Sequence, residues 1–198
     1  MAGAQPRSHI RSLIAIVLIA ALFIAVPFVM PFISNAYLYP ISNNGDIAAS
    51  SQRHNVDPYL VCAVIRCESG WDAGAYSEAG AEGLMQIMPE TAQTMVNFGL
   101  VDPERFPVDD LANPAVNIEY GCACLEYLSG EFDTVEQVIA AYNAGLGPVR
   151  IWAANAESEG IAFTDAIDYQ ETRAYVTRVL VSYEGYKNSY PSLYPDPE

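Results

Sequence analysis

The residue in this chain best placed to do chemistry is Glu68. It follows Tyr59-Leu60-Val61-Cys62-Ala63-Val64-Ile65, a run apolar enough to form a core element, and precedes Ser69-Gly70-Trp71. A carboxylate beside such a run is costly unless it is paired or neutral. Burial raises a carboxyl pKa until the group can act as a general acid near neutral pH. The bland alternative is a solvated acid at a helix end beside Gly70. The acids that follow, Asp72, Glu78 and Glu82, fall in a Gly-rich stretch where surface charge is the expected role. Four cysteines, Cys62, Cys67, Cys122 and Cys124, show no C-x-x-C spacing and no histidine cluster, so no metal and no cofactor is expected. A disulfide within one helix has poor geometry. Bonds between the Cys62/Cys67 helix and the Cys122/Cys124 helix therefore stand against buried free thiols. His54 reads as a surface residue at a helix end.

The elements that must position Glu68 are helical. A short helix is expected over Asp46–His54. Asp57 at the N-cap and Pro58 at N1 then open a helix running to about Ser69. Leu60, Val61, Val64, Ile65 and Glu68 share one face by i, i+3, i+4 spacing, so Glu68 projects from the core side, away from Arg66. Gly70 to Gly83 is polar and Gly-rich and predicts a loop or small β excursion. Leu84 to Ile87 returns to the core, and Pro89 opens a helix to about Phe98. Gly99 to Asp110 is a loop, and Asn113-Pro114 starts a helix to about Leu128. Phe132 to Asn143 predicts the next helix. Gly145 and Gly147-Pro148 break it, leaving a short piece at Val149–Ala153. Glu157 to Tyr169 reads as irregular. Gln170 to Tyr186 is the last amphipathic helix, with Tyr175, Val176, Val179, Leu180 and Tyr183 on one face.

The N-terminus reads differently. Residues 1–12 are polar with two arginines, and 13–33 form an uncharged stretch of 21 residues long enough to span a bilayer. Arginine before it and acid after it predict a single-pass signal-anchor with the domain outside. The alternative is a secreted protein cleaved near Ala36. Residues 34–45 read as a linker; Tyr37 to Asn44 within it can extend about 25–28 Å from the membrane. The main domain is expected over 46–187, and 188–198 read as a tail. The chain carries 9 Lys+Arg against 24 Asp+Glu. Such acidity argues against nucleic acid as a partner.

Four blocks stand in order: Cys67-Glu68-Ser69-Gly70-Trp71, Gly83-Leu84-Met85-Gln86-Ile87-Met88-Pro89-Glu90-Thr91-Ala92, Ala141-Tyr142-Asn143-Ala144-Gly145 and Glu171-Thr172-Arg173-Ala174-Tyr175-Val176. Together they resemble the catalytic domain of the soluble-type lytic transglycosylases, glycosidases related to goose-type lysozyme. The resemblance covers about 70% of the chain, from Asp46 to Tyr186. It implies an α-rich lysozyme-like single domain whose partner is the glycan strand of peptidoglycan. Glycoside cleavage usually needs two carboxylates, yet the blocks supply one. The resemblance implies that Glu68 acts first as acid and then as base, closing a 1,6-anhydro ring on the sugar it leaves. It gives substrate-side positions to Ser69, Met85, Gln86, Tyr142, Asn143 and Tyr175. Met85 and Tyr142 would also shield Glu68 from water. Gln86 and Asn143, as amides in apolar company, would bind sugar groups or tie loops. Glu171 and Arg173 would form a structural polar network. Cys124 stands where the family usually has a tyrosine. Two alternatives remain at this point: a hydrolytic muramidase using one of Asp72, Glu78 or Glu82, and an inactive peptidoglycan-binding module.

Overall fold

The computed structural model describes residues 37–194 and, before them, positions 14, 16, 17, 19, 21, 24 and 26. Those seven earlier positions are helical and exposed. The expected membrane span over 13–33 otherwise lies outside the described residues, as do 195–198. Among the described residues no helix is long and apolar enough to cross a membrane. Residues from Ile41 onward form one compact unit, separate from Met1–Pro40.

That unit is helical. α1 (Asn44–His54) and α2 (Pro58–Glu68) are followed by a long loop and α3 (Pro89–Asn97). A 3-10 turn at Val108–Asp110 precedes α4 (Pro114–Glu131), α5 (Val135–Ala144), α6 (Leu146–Glu159), the one-turn α7 (Phe163–Ala166) and α8 (Gln170–Ser189). Strand pairing among the described residues is confined to two single bridges, Tyr76 with Glu82 and Glu82 with Ile87.

α2 is the axis. Asp57 accepts from the Tyr59 amide at 2.8 Å and Pro58 fills N1, as the sequence predicts. Val61 through Ile65 are wholly buried, so the helix is enclosed on every side until its last turn. α8 packs along it, with Val176 and Val179 fully buried. At the start of α2, Tyr183 donates to Asp57 and joins the two helices. Leu84, Met85 and Ile87 return to the core as expected.

Several sequence expectations need correction. His54 is not a surface residue: it is 4% exposed, and its Nδ1 lies 2.7 Å from Glu126. It belongs to a network between α1 and α4, in which Ser50 and Arg53 both bond Glu119. Burial works to raise the Glu119 carboxyl, but His54 at 3.3 Å together with Arg53 and Ser50 outweighs it and holds the carboxyl at about 2. The break expected at Gly147-Pro148 is a helix start. Both residues lie in the first turn of α6, where a proline's missing N–H costs nothing. α6 runs on through residues read as irregular. Phe132 lies outside α5, which Thr134 caps instead. Glu171 and Arg173 form no mutual network: Arg173 donates to the carbonyls of Asp165 and Ile167, while Glu171 is exposed. The expected tail is also bound. Tyr59 donates to the Tyr190 carbonyl, and Tyr194 packs edge-on at 5.2 Å from Tyr59 and bonds Asn44. All four cysteines are free thiols, with Cys62 and Cys122 fully buried.

Candidate active site

Glu68 sits in the last turn of α2, half-buried, where the enclosed helix meets the loop. Tyr175 on α8 donates its hydroxyl to Glu68 Oε1 at 2.6 Å. Burial pushes the Glu68 carboxyl above its ordinary range; the Tyr175 bond and the charge of Arg178 pull in the opposite direction. The balance is a carboxyl that takes up a proton more readily than a solvated one. Burial also drives the Tyr175 phenol well up, and the neighbouring Glu68 carboxylate adds to the rise, so the phenol remains a donor. Arg178, one turn along α8, lies with its guanidinium carbon 5.8 Å from the Tyr175 ring centre. No sequence block includes Arg178; its only signal is the i+3 spacing from Tyr175.

The 70–87 loop is fastened at its neck. Ser69 Oγ donates to the Leu84 carbonyl at 2.8 Å and accepts from the Trp71 amide, so it joins the loop's entry to its exit. Trp71 Nε1 donates to Tyr186 on α8 at 2.8 Å. Gln86 donates to the carbonyls of Ala75 and Gly83 and so ties the loop to itself. Asn117, buried on α4, accepts from the Met85 amide at 2.7 Å and donates to Glu82 and Leu111 carbonyls. The sequence places Asn117 in the family pattern but gives it no role, because a buried amide inside a helix has no periodic signature. Trp71 and Gln86 both adopt positive φ, 73° and 49°, a conformation costly for side-chain-bearing residues and typical of backbone held by its surroundings.

The expected site residues therefore separate. Tyr175 bonds Glu68, and Tyr142 lies near enough to feel the charge of Glu68. The Tyr142 hydroxyl donates to the Met85 carbonyl at 2.8 Å; burial, then nearby negative charge including that of Glu68, raises its pKa well above the usual phenol range. Met85 is fully buried against Gly121, where an added Cβ would lie 2.1 Å from its sulfur. Its side chain presents no surface to a ligand, which corrects its expected substrate-side position. Asn143 is not in apolar company: it is exposed, with Oδ1 accepting from Thr172 at 2.8 Å. Of the loop acids, Asp72 and Glu78 are exposed, and Asp72 accepts from the Gly74 amide. Cys67 lies 3.8 Å from Ser182, and burial raises its thiol pKa, which leaves it a poor nucleophile. Among the described residues no group of His, Cys, Asp and Glu could hold a metal ion.

Residues 46–163 match the family described as the transglycosylase SLT domain. The chain belongs to this family. It is 35% identical over 151 residues to the soluble lytic murein transglycosylase of Salmonella typhimurium, covering 75% of this chain and 23% of that protein. The SLT chain thus spans about a quarter of the length of this relative. The crystal structure of the 70 kDa soluble lytic transglycosylase from Escherichia coli superposes with a TM-score of 0.69 at 32% identity, covering 80% of this chain and 26% of that one. An inactive mutant of the lytic transglycosylase Slt from Pseudomonas aeruginosa, with glutamate replaced by glutamine, gives the same TM-score at 28% identity, covering 80% and 26%. The SLT domain here has the helix-rich, lysozyme-like fold of these proteins.

Proposed function

We propose that this SLT domain is a peptidoglycan lytic transglycosylase, and that Glu68 is its acid and base. The observation that carries the reading is one half-buried carboxyl, raised in pKa by burial and gripped by a phenol. A carboxyl so raised holds a proton at a pH where a solvated one has lost it, which a general acid requires. Glu68 protonates the oxygen that bridges a MurNAc unit to the next GlcNAc, and the C1–O bond breaks. The carboxylate left behind then takes the proton from the 6-hydroxyl of the same MurNAc. That oxygen bonds to C1 and closes the 1,6-anhydro ring, so Glu68 ends protonated as it began and no water is consumed. Tyr175 keeps the carboxyl in one orientation through both steps, donating to it when it is charged. Tyr142 and Met85 exclude water from behind it. Ser69 and Gln86 act indirectly, by fixing the loop that walls the site. The relatives' names, and the loss of activity when a glutamate of the Pseudomonas protein becomes glutamine, support this assignment.

In this reading residues 13–33 anchor the chain in the cell membrane with the domain over 46–187 outside, and catalysis takes place near the membrane surface. The described positions Ile14, Ile16, Val17, Ile19, Ile24 and Val26 support it, being apolar and exposed along a helix.

The test is mass spectrometry of products from purified peptidoglycan incubated with the full chain and with Glu68→Gln. Anhydro-MurNAc ends with wild type and none with the variant are expected. Reducing MurNAc ends would overturn the transglycosylase step in favour of hydrolysis. Binding to sacculi with no products would mark a binding module.

A further inference from the structure

We propose that Thr172 is a positioning residue that sets the Asn143 amide as a hydrogen-bond donor toward substrate; this rests on the transglycosylase reading. Asn143 lies in the last turn of α5, next to Tyr142, and is exposed. A free surface amide rotates and offers its oxygen or its nitrogen with equal ease. Here the oxygen is taken. Thr172 is 3% exposed in the first turn of α8 and donates Oγ1–H to Asn143 Oδ1 at 2.8 Å. No other hydrogen bond of the Asn143 side chain is found among the described residues. With Oδ1 pinned inward, Nδ2 faces outward with two N–H groups available.

The location gives that donor a purpose. Thr172 precedes Tyr175 by three residues, so the two side chains share one face of α8. Only about 4.5 Å of helix axis separates the backbone of Thr172, which orients Asn143, from that of Tyr175, which holds Glu68. A sugar gripped by Nδ2 therefore lies within reach of the carboxyl. The partner must offer an acceptor, and the N-acetyl carbonyl of an amino sugar is a stronger uncharged acceptor than the hydroxyl and ether oxygens beside it. Thr172 touches no substrate in this arrangement; it decides which end of the amide does.

The experiment uses the full chain, soluble GlcNAc–MurNAc oligosaccharides, and the variants Thr172→Val, Thr172→Ser and Asn143→Asp, with the melting temperature of each. Thr172→Val keeps the shape but loses the hydroxyl proton. It is expected to raise KM about fivefold to tenfold, with kcat within about twofold of wild type. Thr172→Ser is expected to restore the wild-type KM. Asn143→Asp, which replaces the donor by an acceptor, is expected to raise KM at least as much, and adding Thr172→Val to it to change nothing further. An unchanged KM in Thr172→Val, a Thr172→Ser variant as impaired as Thr172→Val, or a loss confined to kcat would overturn the proposal. Should Thr172→Val not fold, an unchanged KM in Asn143→Asp overturns it alone. Wild type that binds the oligosaccharides without cleaving them sinks the enzymatic reading instead, and the Kd values of the same series still decide the role of Thr172.

Discussion

Replacing Tyr175 by Phe removes one oxygen and with it the hydrogen bond to Glu68 Oε1. Intuition says that damage to a site lowers the pH at which it works; the structure says the reverse. Burial raises the Glu68 carboxyl, and the Tyr175 bond is the first of two influences that hold the rise in check. A hydrogen bond to a charged group is worth about 1.5–3 kcal/mol, and one pKa unit corresponds to about 1.4 kcal/mol. Tyr175→Phe should therefore push the Glu68 carboxyl further up. In the proposed mechanism Glu68 is protonated in the free enzyme, so kcat/KM falls as pH rises through its pKa. That falling limb should move to higher pH even as the maximum rate drops. Stability gives an independent reading. Because the folded pKa lies above the unfolded one, ionising Glu68 costs the folded state nothing below the ordinary carboxyl range. The cost grows as pH rises through the folded pKa. Denaturant titrations should show Tyr175→Phe losing about 1.5–3 kcal/mol more at pH 7 than at pH 4. The excess should vanish in a Glu68→Gln background. A limb that stays put or moves to lower pH would refute the argument, as would a pH-independent loss that persists with Glu68→Gln.

Other expectations follow from the same geometry. Glu68→Gln should abolish glycan cleavage yet melt higher than wild type at pH 7, with the difference closing as pH falls below the ordinary carboxyl value. Gly83→Ala should cost about 2–4 kcal/mol in denaturant unfolding. Its φ is +73°, and the new Cβ would lie 2.5 Å from Asn117 Nδ2 and 2.8 Å from the Leu111 carbonyl. Glu119 has a folded pKa near 2 against an ordinary 4.5, so its contribution is present above the ordinary value and lost as pH falls through 2. Glu119→Gln should therefore lose on the order of 3 kcal/mol at pH 7 and little near pH 2. Finally, the native protein should hold Cys62 and Cys122 unreactive to a thiol reagent until unfolded, and a reductant should leave its melting temperature unchanged.

The sequence made α2 legible because every local signal agrees there: Asp57 and Pro58 start it, an apolar run fills it, and Gly70 follows its end. Glu68 could be singled out for the same reason, as a charge where the pattern calls for a hydrophobe. Asn117 and Thr172 stand within the family pattern, yet their roles could not be read, since these lie in partners 32 and 29 residues away. His54 was misread because a polar residue at a helix end looks solvated unless its partners, Glu119 and Glu126 on α4, are known. Pro148 was misread as a breaker because its effect depends on which turn of the helix it occupies. The tail was misread because Tyr190 and Tyr194 act singly, with no repeat for periodicity to detect.

The 70–87 loop carries one more consequence. Its shape is held by Ser69 at the neck, by Asn117 from below and by Gln86 across the middle, almost wholly through main-chain atoms. At its tip Ser77 accepts from the Ala81 amide, while the side chains of Tyr76, Glu78 and Ala79 are exposed. The wall beside Glu68 is therefore a fixed frame with interchangeable fittings. A library randomised at positions 76, 78 and 79 should fold almost without exception, and selectivity toward differently decorated glycans can be sought there without reopening the question of stability.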